Sequence, residues 1–400
     1  MLVNERFVNR LFRRQQTNTG DVRDFILGAH VVGTQTTTSD VTVDFQENPR
    51  VAQARIRLLG FTSSDTIGLT KMAVVGVCGQ HRFLATKPVL FDGARLLTGR
   101  ADAVVDPHNF TRGVRSPATG FPLLGPLVDQ IVYSRAEARR PEAEAIAAER
   151  LKQRVLPEFD RNIDAELGRA NAKLKSWIRP QLAKLKLNPD SMLFTSTDQH
   201  LVMNVRFGIA RPDTRSPAAA SPGTTVLIHE SLLNELINRA GAGGMLVSDR
   251  RLAKLLARVQ GGGDPSLRPE ESANPSLTFR LAQREPIRVS LVRGALRIDL
   301  NASVTSTAGD RLPQSVIKFV VESELTDEAV VFRTSSVQVD VPPGAGHEAT
   351  AETVRRRLIS MLQPVRLSRS RRLPEINGRR LSVRLSEVEA NAGWLRIVIQ

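Results

Sequence analysis

The pair His229-Glu230 is the nearest approach to a catalytic signature in this chain. On a helix, His-Glu followed by a second His four positions after the first sets two zinc ligands and a general base on one face. Position 233 is Leu233, so the second ligand is missing. The histidines at 30, 81, 108, 200, 229 and 347 stand apart, and none has the spacing of a metal site. His229 reads instead as a helix-start or core residue. Ser231 lies in Glu-Ser-Leu, without the glycines of a nucleophile elbow. Gly241-Ala242-Gly243-Gly244 lacks the Lys-Ser/Thr of a phosphate loop and follows a helix, which makes it a helix stop. Cys78 is the single cysteine; in the apolar run Ala73–Val77 it reads as a buried, inert thiol, with an intermolecular or reactive thiol as the alternative. Asn109 and Asn301 begin sequons, which matter only in a glycosylating host. The expectation is a non-enzyme with no catalytic residue, no metal and no cofactor.

Charge offers a different chemistry. The formal net charge is +15 at pH 7, a field that attracts nucleic acid, anionic lipid headgroups or acidic glycans. Arginines crowd one stretch: Arg355, Arg356, Arg357, Arg366, Arg369, Arg371, Arg372, Arg379 and Arg380. One reading is a solvated surface. The other is an anionic membrane or glycolipid surface, with Arg355, Arg356, Arg357, Arg369, Arg371 and Arg372 as the candidate contacts. Nucleic acid is disfavoured, because no aromatic side chains interleave the basic ones and no nucleic-acid-binding signature is present.

The elements that must position these residues are organised by a repeat. Val3-Asn4-Glu5-Arg6-Phe7-Val8-Asn9-Arg10-Leu11-Phe12 returns as Ile228-His229-Glu230-Ser231-Leu232-Leu233-Asn234-Glu235-Leu236-Ile237. Glu5 matches Glu230, Asn9 matches Asn234, and the apolar positions match one another. The separation is too long for a solenoid and implies two copies of one domain. In their helices the two glutamates read as first-turn acids that complement the helix dipole, or as a paired acid function. Four hundred residues, 41% of them hydrophobic, suffice for two cores, and with aromatics at 4% the interior must be aliphatic.

Each half then runs helix, strands, helix, strand pair. The first has a helix over 3–14 and strands from about 29 to 105, such as Val41–Phe45 and Ala54–Leu58. Gly33, Asn48-Pro49, Gly60, Gly79 and Asp92-Gly93 read as turns between them. A Pro/Gly-rich loop covers 106–133. A long helix from Pro141 to Leu185 carries an apolar stripe that includes Val155, Phe159 and Ile163, with Pro157 and Pro180 kinking or dividing it. Strands at 192–196 and 201–207 close the half. Residues 211–224 form a Pro/Ala/Ser linker between domains at 1–210 and 225–400. The second half has helices over 228–240, stopped at Gly241, and over 248–259. Its strands include 287–292, 296–300, 315–321 and 329–332. A helix over 351–362 starts from Thr350 as N-cap, and strands at 381–385 and 394–399 end the chain. No run has the length of a membrane-spanning helix, and no signal peptide is visible. The chain opens inside the repeated motif, so a true start upstream is expected, with an extracytoplasmic location if that is so.

With this order of elements the chain resembles the tubular lipid-binding (TULIP) superfamily, especially the two-barrel group of bactericidal/permeability-increasing and lipid-transfer proteins. The likeness lies in Val226–Leu236 running on to Ala240-Gly241 and Met245-Leu246, which is similar to the segment opening that group's second barrel. It also lies in the Pro-rich linker, in the long helix ending before Pro189, and in Leu373–Gly378 onward to Gly393–Ile397. The group's characteristic first-barrel disulfide has no counterpart here, since Cys78 stands alone. The resemblance implies an α+β fold with two TULIP-like domains, each a curled antiparallel β-sheet wrapped on a long amphipathic helix. It implies a lipid or apolar small-molecule partner held in aliphatic grooves, where each buried methylene contributes about 0.8 kcal/mol. Phe7, Leu11, Phe159, Ile163, Leu232 and Leu236 are the candidate groove residues, with ordinary core packing as their other reading. The alternative function is a structural or interaction protein whose barrels are filled by their own side chains. Oligomeric state is not legible.

Overall fold

The computed structural model describes residues 1–120, 125–184, 189–207, 221–249, 276–343, 346–362, 364–372 and 382–400. The linker residues 211–220, the expected helix beyond Asp249, and Arg379 and Arg380 lie outside them. The chain divides into two compact units, Asn4–Val205 and Arg206–Gln400, the second also taking Met1–Val3.

The chain begins with strand β1 (Leu2–Asn4) and helix α1 (Glu5–Phe12), followed by β2 (Arg14–Ile26), β3 (Ala29–Gln46), β4 (Ala52–Leu69), β5 (Val74–Phe91), β6 (Leu96–Thr98) and β7 (Asp102–Arg115). Helices α2 (Gly125–Ala138) and α3 (Arg140–Lys184) follow, then the hairpin β8 (Ser191–Ser196) and β9 (His200–Arg206). The main sheet is antiparallel in the order β2-β3-β4-β5, with β6 and β7 both paired to β5. Residues opposite one another share a face, so the register puts Val41, Leu58, Ala85 and Ala103 in one row. Phe159 of α3 packs on Ala85 and Ala103 and thereby defines this as the inner face.

The second unit contains β10 (Thr224–His229), α4 (Glu230–Arg239), β11 (Leu246–Ser248), β12 (Leu277–Leu281), β13 (Ile287–Val292), β14 (Ala295–Ser306), β15 (Arg311–Leu325) and β16 (Ala329–Asp340). Helix α5 (His347–Met361), β17 (Val365–Ser368), β18 (Ser370–Arg372), β19 (Ser382–Asn391) and β20 (Trp394–Ile399) complete it. One sheet runs β11-β12-β14-β15-β16-β17, with β13 also on β14; β10 pairs with β20 and, on its other edge, with Leu2 and Val3 of β1. Ala351, Val354 and Leu358 of α5 enter a buried cluster with Phe279, Leu300, Val304, Ile317 and Phe319 from the sheet. The architecture is thus α+β, antiparallel sheets with helices against them.

The repeat is a repeated hydrogen-bonding device. Asn9 of α1 donates Nδ2–H to the Val43 carbonyl and accepts the Val43 N–H at Oδ1, both at 2.7 Å. Glu5, one helical turn earlier, accepts the Phe45 N–H at 2.8 Å. In the second unit Asn234 makes the same two bonds to Val289, at 2.9 and 2.7 Å, and Glu230 accepts from Leu291 at 2.8 Å. A carboxamide has the donor and acceptor of a peptide group, so each Asn stands in for a missing strand. The spacing fits: four helical residues rise about 6 Å, and two strand residues span about 6.6 Å. The β2–β3 ladder ends at Arg14↔Val41, which leaves Val43 and Phe45 without a strand partner on that side. Each helix also donates its first N–H to a hairpin turn, Glu5 to Gln199 and Glu230 to Gly393, both at 2.9 Å. Asn4 and His229 are the N-caps, accepting from Arg6 and Ser231, as a helix-start histidine should.

Several expectations need correction. The first helix is shorter than 3–14, since Val3 is in β1 and Arg13 is extended into β2. Gly33, Gly60 and Gly79 are not turns; they lie inside β3, β4 and β5. A Cβ at Gly33 would meet the backbone of Asp65, and one at Gly60 would meet the Phe83 ring, so these glycines allow close approach within the sheet. Residues 106–133 are not loop throughout, because they hold most of β7 and the start of α2. Pro107 is tolerated because β7 pairs on one side only, with β5. Helix α3 runs through Pro157 and Pro180 without division. Helix α5 starts before Thr350, with Gly346 at φ 94° as its cap. Gly241, at φ 69°, does take the left-handed conformation expected after α4.

Replacing Asn9 or Asn234 by Ala strands one N–H and one C=O on a strand edge. Each should lower unfolding free energy by about 2 kcal/mol in urea titrations. A loss under about 0.5 kcal/mol for both, the level of an ordinary surface change, would refute the strand-substitute role.

Candidate functional site

The inner face of the first unit changes character along its strands. Near α3 it is apolar: Ile56, Leu58, Ala85, Ala101 and Ala103 meet Val155, Leu156, Phe159 and Ile163. Among the described residues, this cluster contains three buried side chains, Ala85, Ala103 and Phe159, against fourteen in the corresponding cluster of the second unit. Past Gly60 the same face becomes polar, with Thr37, Thr62, Ser64, Thr66, His81 and Asn109. Thr37 and Thr62 share a 2.8 Å hydrogen bond. The opposite face carries exposed Leu59, Phe61, Ile67, Val104 and Phe110.

Helix α3 is fastened to this sheet by polar bonds. Lys87, on the apolar part of the inner face, is 2% exposed, and its Nζ bonds Asp160 and lies 3.1 Å from Asp164. Burial pushes the lysine pKa down, but hydrogen bonds to the two aspartates outweigh this and raise it. Burial likewise pushes Asp164 up, and the bonds from Lys87 and Thr98 bring it below the usual carboxylate range. About two turns beyond Asp164, Asn171 repeats the peptide-like clamp, bonding Leu96 N–H at 2.7 Å and its carbonyl at 3.0 Å. These attachments join residues more than 60 positions apart, and no local spacing announces them.

The six candidate groove residues fall into two settings. Phe159 and Ile163 lie together in the cluster under α3. Phe7 and Leu11 on α1, and Leu232 and Leu236 on α4, remain partly exposed, and neither helix buries a residue completely. Arg10 lies over the Phe7 ring, 5.3 Å from its centroid.

The basic stretch is likewise divided. Arg355 chelates Glu352 at 2.7 and 2.9 Å, and Arg356 is 3.6 Å from the same carboxylate. Arg357 pairs with Asp249, which is buried at 1% exposure, so its charge serves the second unit's own interior. Arg369 donates to the carbonyls of Leu385 and Thr326. Arg366, Arg371 and Arg372 are exposed on β17 and β18.

Two cavities stand out among the described residues. A cleft of about 340 Å³ lies at the head of α4, lined by polar groups that include His229, Glu230, Ser231 and Asn234. His229 Nδ1 is 2.8 Å from Ser231 Oγ but also accepts the Ser231 N–H, which is helix capping and not activation of a nucleophile. Glu230 and Asn234 are occupied by the β13 edge. The second cavity, about 400 Å³, is a shallow surface on α2 along Leu127, Ile131 and Ser134. Neither is an enclosed apolar channel. Among the described residues no helix is long and apolar enough to cross a membrane.

No protein-family model matches the chain, and no curated protein matches it by sequence. Among solved structures, the chain is similar to one described as the crystal structure of lipopolysaccharide binding protein. The identity is 9% and the TM-score 0.34, over 100% of this chain and 98% of that one.

The Lys87 cluster fixes a pH dependence. Asp164, depressed in the folded state, contributes stability above the ordinary carboxylate range, and this is lost as pH falls through its folded value. Lys87, raised, contributes below the ordinary lysine range and loses this as pH rises through its folded value. Asp160→Ala should cost on the order of 2–3 kcal/mol by weakening the pairing of a buried amine, whereas Lys87→Met should cost far less and flatten the acid limb. Equal losses in denaturant melts would contradict this assignment.

Proposed function

We propose that the protein is a non-enzymatic binder of a lipid or other apolar ligand, built as two TULIP-like domains at 1–210 and 225–400. The observation that carries this reading is the small buried cluster beneath α3 in the first unit. That cluster has three buried residues, Ala85, Ala103 and Phe159, while Phe7, Leu11, Ile56, Leu58 and Ile163 stay partly accessible. Apolar surface of this kind is stabilised by about 25 cal/mol per Å² when a ligand covers it. The first unit is the ligand-holding half.

The structural alternative is favoured in the second unit, where α5 and the sheet fill the interior with fourteen buried side chains. That unit acts as a self-filled scaffold. Docking on an anionic membrane or envelope surface falls to Arg366, Arg371 and Arg372, because Arg355, Arg356, Arg357 and Arg369 are engaged within the protein.

Native mass spectrometry of the purified chain, followed by organic extraction, is the direct test. One acyl-chain compound per chain, lost on extraction, is expected; an apo mass that persists after incubation with phospholipid and fatty acid would exclude lipid carriage. Leu58→Trp, which narrows the first unit, should reduce uptake several-fold. For the surface, Arg371→Glu with Arg372→Glu should weaken binding to phosphatidylglycerol vesicles, each arginine contributing roughly 1 kcal/mol. Unchanged, salt-independent partitioning would remove the docking role.

A further inference from the structure

The two outer strands of the first sheet treat their free edges differently. On β7, Pro107 removes one donor, Glu144 of α3 accepts the Asn109 N–H at 2.7 Å, and the ladder to β5 slips between Gly76 and Val77. Devices of this kind stop a strand edge from recruiting another strand. Strand β2, at the opposite edge, has none of them. Its 13 residues pair with β3 without a register shift and include no proline or lysine. From Arg14 to Asp21 every residue is exposed, and the run Gln15–Gly20 carries no charge.

The hairpin turn fixes which peptide groups of β2 are free. Leu27 and Gly28, both at positive φ, form a two-residue loop, so Ile26 and Ala29 exchange hydrogen bonds. Alternation along the ladder then aims the even residues of β2 at β3 and the odd ones, Gln15 to Phe25, away from it. The same alternation aims Val43 and Phe45 of β3 at α1, where Asn9 and Glu5 meet them. Among the described residues no backbone group meets the odd residues of β2 on their open side.

We propose that β2 pairs antiparallel with β2 of a second copy of this chain, about a two-fold axis at Thr19. Opposed residues must share a face, and charge selects among the registers that satisfy this. Centred on Thr19, Arg14 of each copy lies opposite Asp24 of the other, Gln15 opposite Arg23, and Thr17 opposite Asp21, with no like charges opposed. A shift of two residues either way loses the Arg14–Asp24 pairing, and one of the two shifts opposes Arg13 to Arg23. The odd residues from Gln15 to Arg23 then exchange about ten hydrogen bonds across the axis. Asp24 already lies 3.8 Å from Arg150 of α3, so pairing places its carboxylate between two arginines. This surface is independent of the lipid-binding reading.

Size-exclusion chromatography with light scattering on the full chain, and sedimentation velocity for the dissociation constant, test the pairing. The mass should approach twice the 44.0 kDa of one chain. Thr19→Pro removes the donor at the axis but no bond to β3, and should weaken the dimer about thirtyfold. Thr19→Lys sets two ammonium groups opposite each other and should weaken it about fivefold, less so in high salt. Arg14→Glu replaces two attractive pairs by two repulsive ones and should cost about tenfold. If Thr19→Pro disturbs the near-ultraviolet circular dichroism, Thr19→Lys decides. A chain that stays monomeric at about 100 μM overturns the proposal, including the case in which a different protein occupies this edge. A dimer that survives both Thr19 variants is built on another surface and overturns it as well. Unchanged dissociation in Arg14→Glu overturns the register.

Discussion

A strand edge must have its peptide groups answered, and here a side-chain amide answers them. An antiparallel sheet that curls without closing leaves N–H and C=O groups along its rim, and each unmade bond in a sheltered place costs about 1–3 kcal/mol. The chain meets this at Val43 with Asn9, at Val289 with Asn234 and at Leu96 with Asn171. In every case a helix supplies the amide, so one contact satisfies the edge and fixes the helix against the sheet. The rim is thereby satisfied without a closing strand.

What could be read from the sequence follows from this. The Glu-x-x-x-Asn spacing recurs because the residue types are dictated by hydrogen bonding, and an alanine or leucine at either place would not serve. Its meaning was hidden, since the partner strands lie about 35 and 55 positions away from the asparagines and nothing local distinguishes a clamp from a solvated polar face. Strand β2 escaped notice for the opposite reason: Arg14-Gln15-Gln16-Thr17-Asn18-Thr19 is polar on both faces and is exposed on both, so no alternation marks it. The strand glycines misled because Gly33, Gly60 and Gly79 have the local look of turns, and only the register shows what approaches each one. The Lys87 cluster and the polar rows past Gly60 are products of cross-strand register and of packing beneath α3, neither of which leaves a local trace.

The two units use the same clamp to opposite ends. In the second, α5 sends Val354 and Leu358 into the sheet, both 1% exposed, and the interior is complete. In the first, α3 is held by Asp160, Asp164, Asn171 and Glu144 as well as by apolar packing. Charge and amide bonds thus fix the position of α3 on the sheet alongside its apolar contacts. Fold and interior are thus separable properties of the design: the rim chemistry is common to both halves, and the filling is not.

Two copies of one latch in a single chain also create a folding ambiguity, because the key on α1 matches the edge of β13 as well as that of β3. Chain connectivity resolves it. Arg13 alone separates α1 from β2, which is itself zipped to β3, so α1 reaches its own edge through a very short closure. Helix α4 has no such tether to β13, with 47 residues between them, and must find that edge across a long excursion. The short link acts as a proofreading element: it commits the first key to its lock early, and only the second lock is left for the second key.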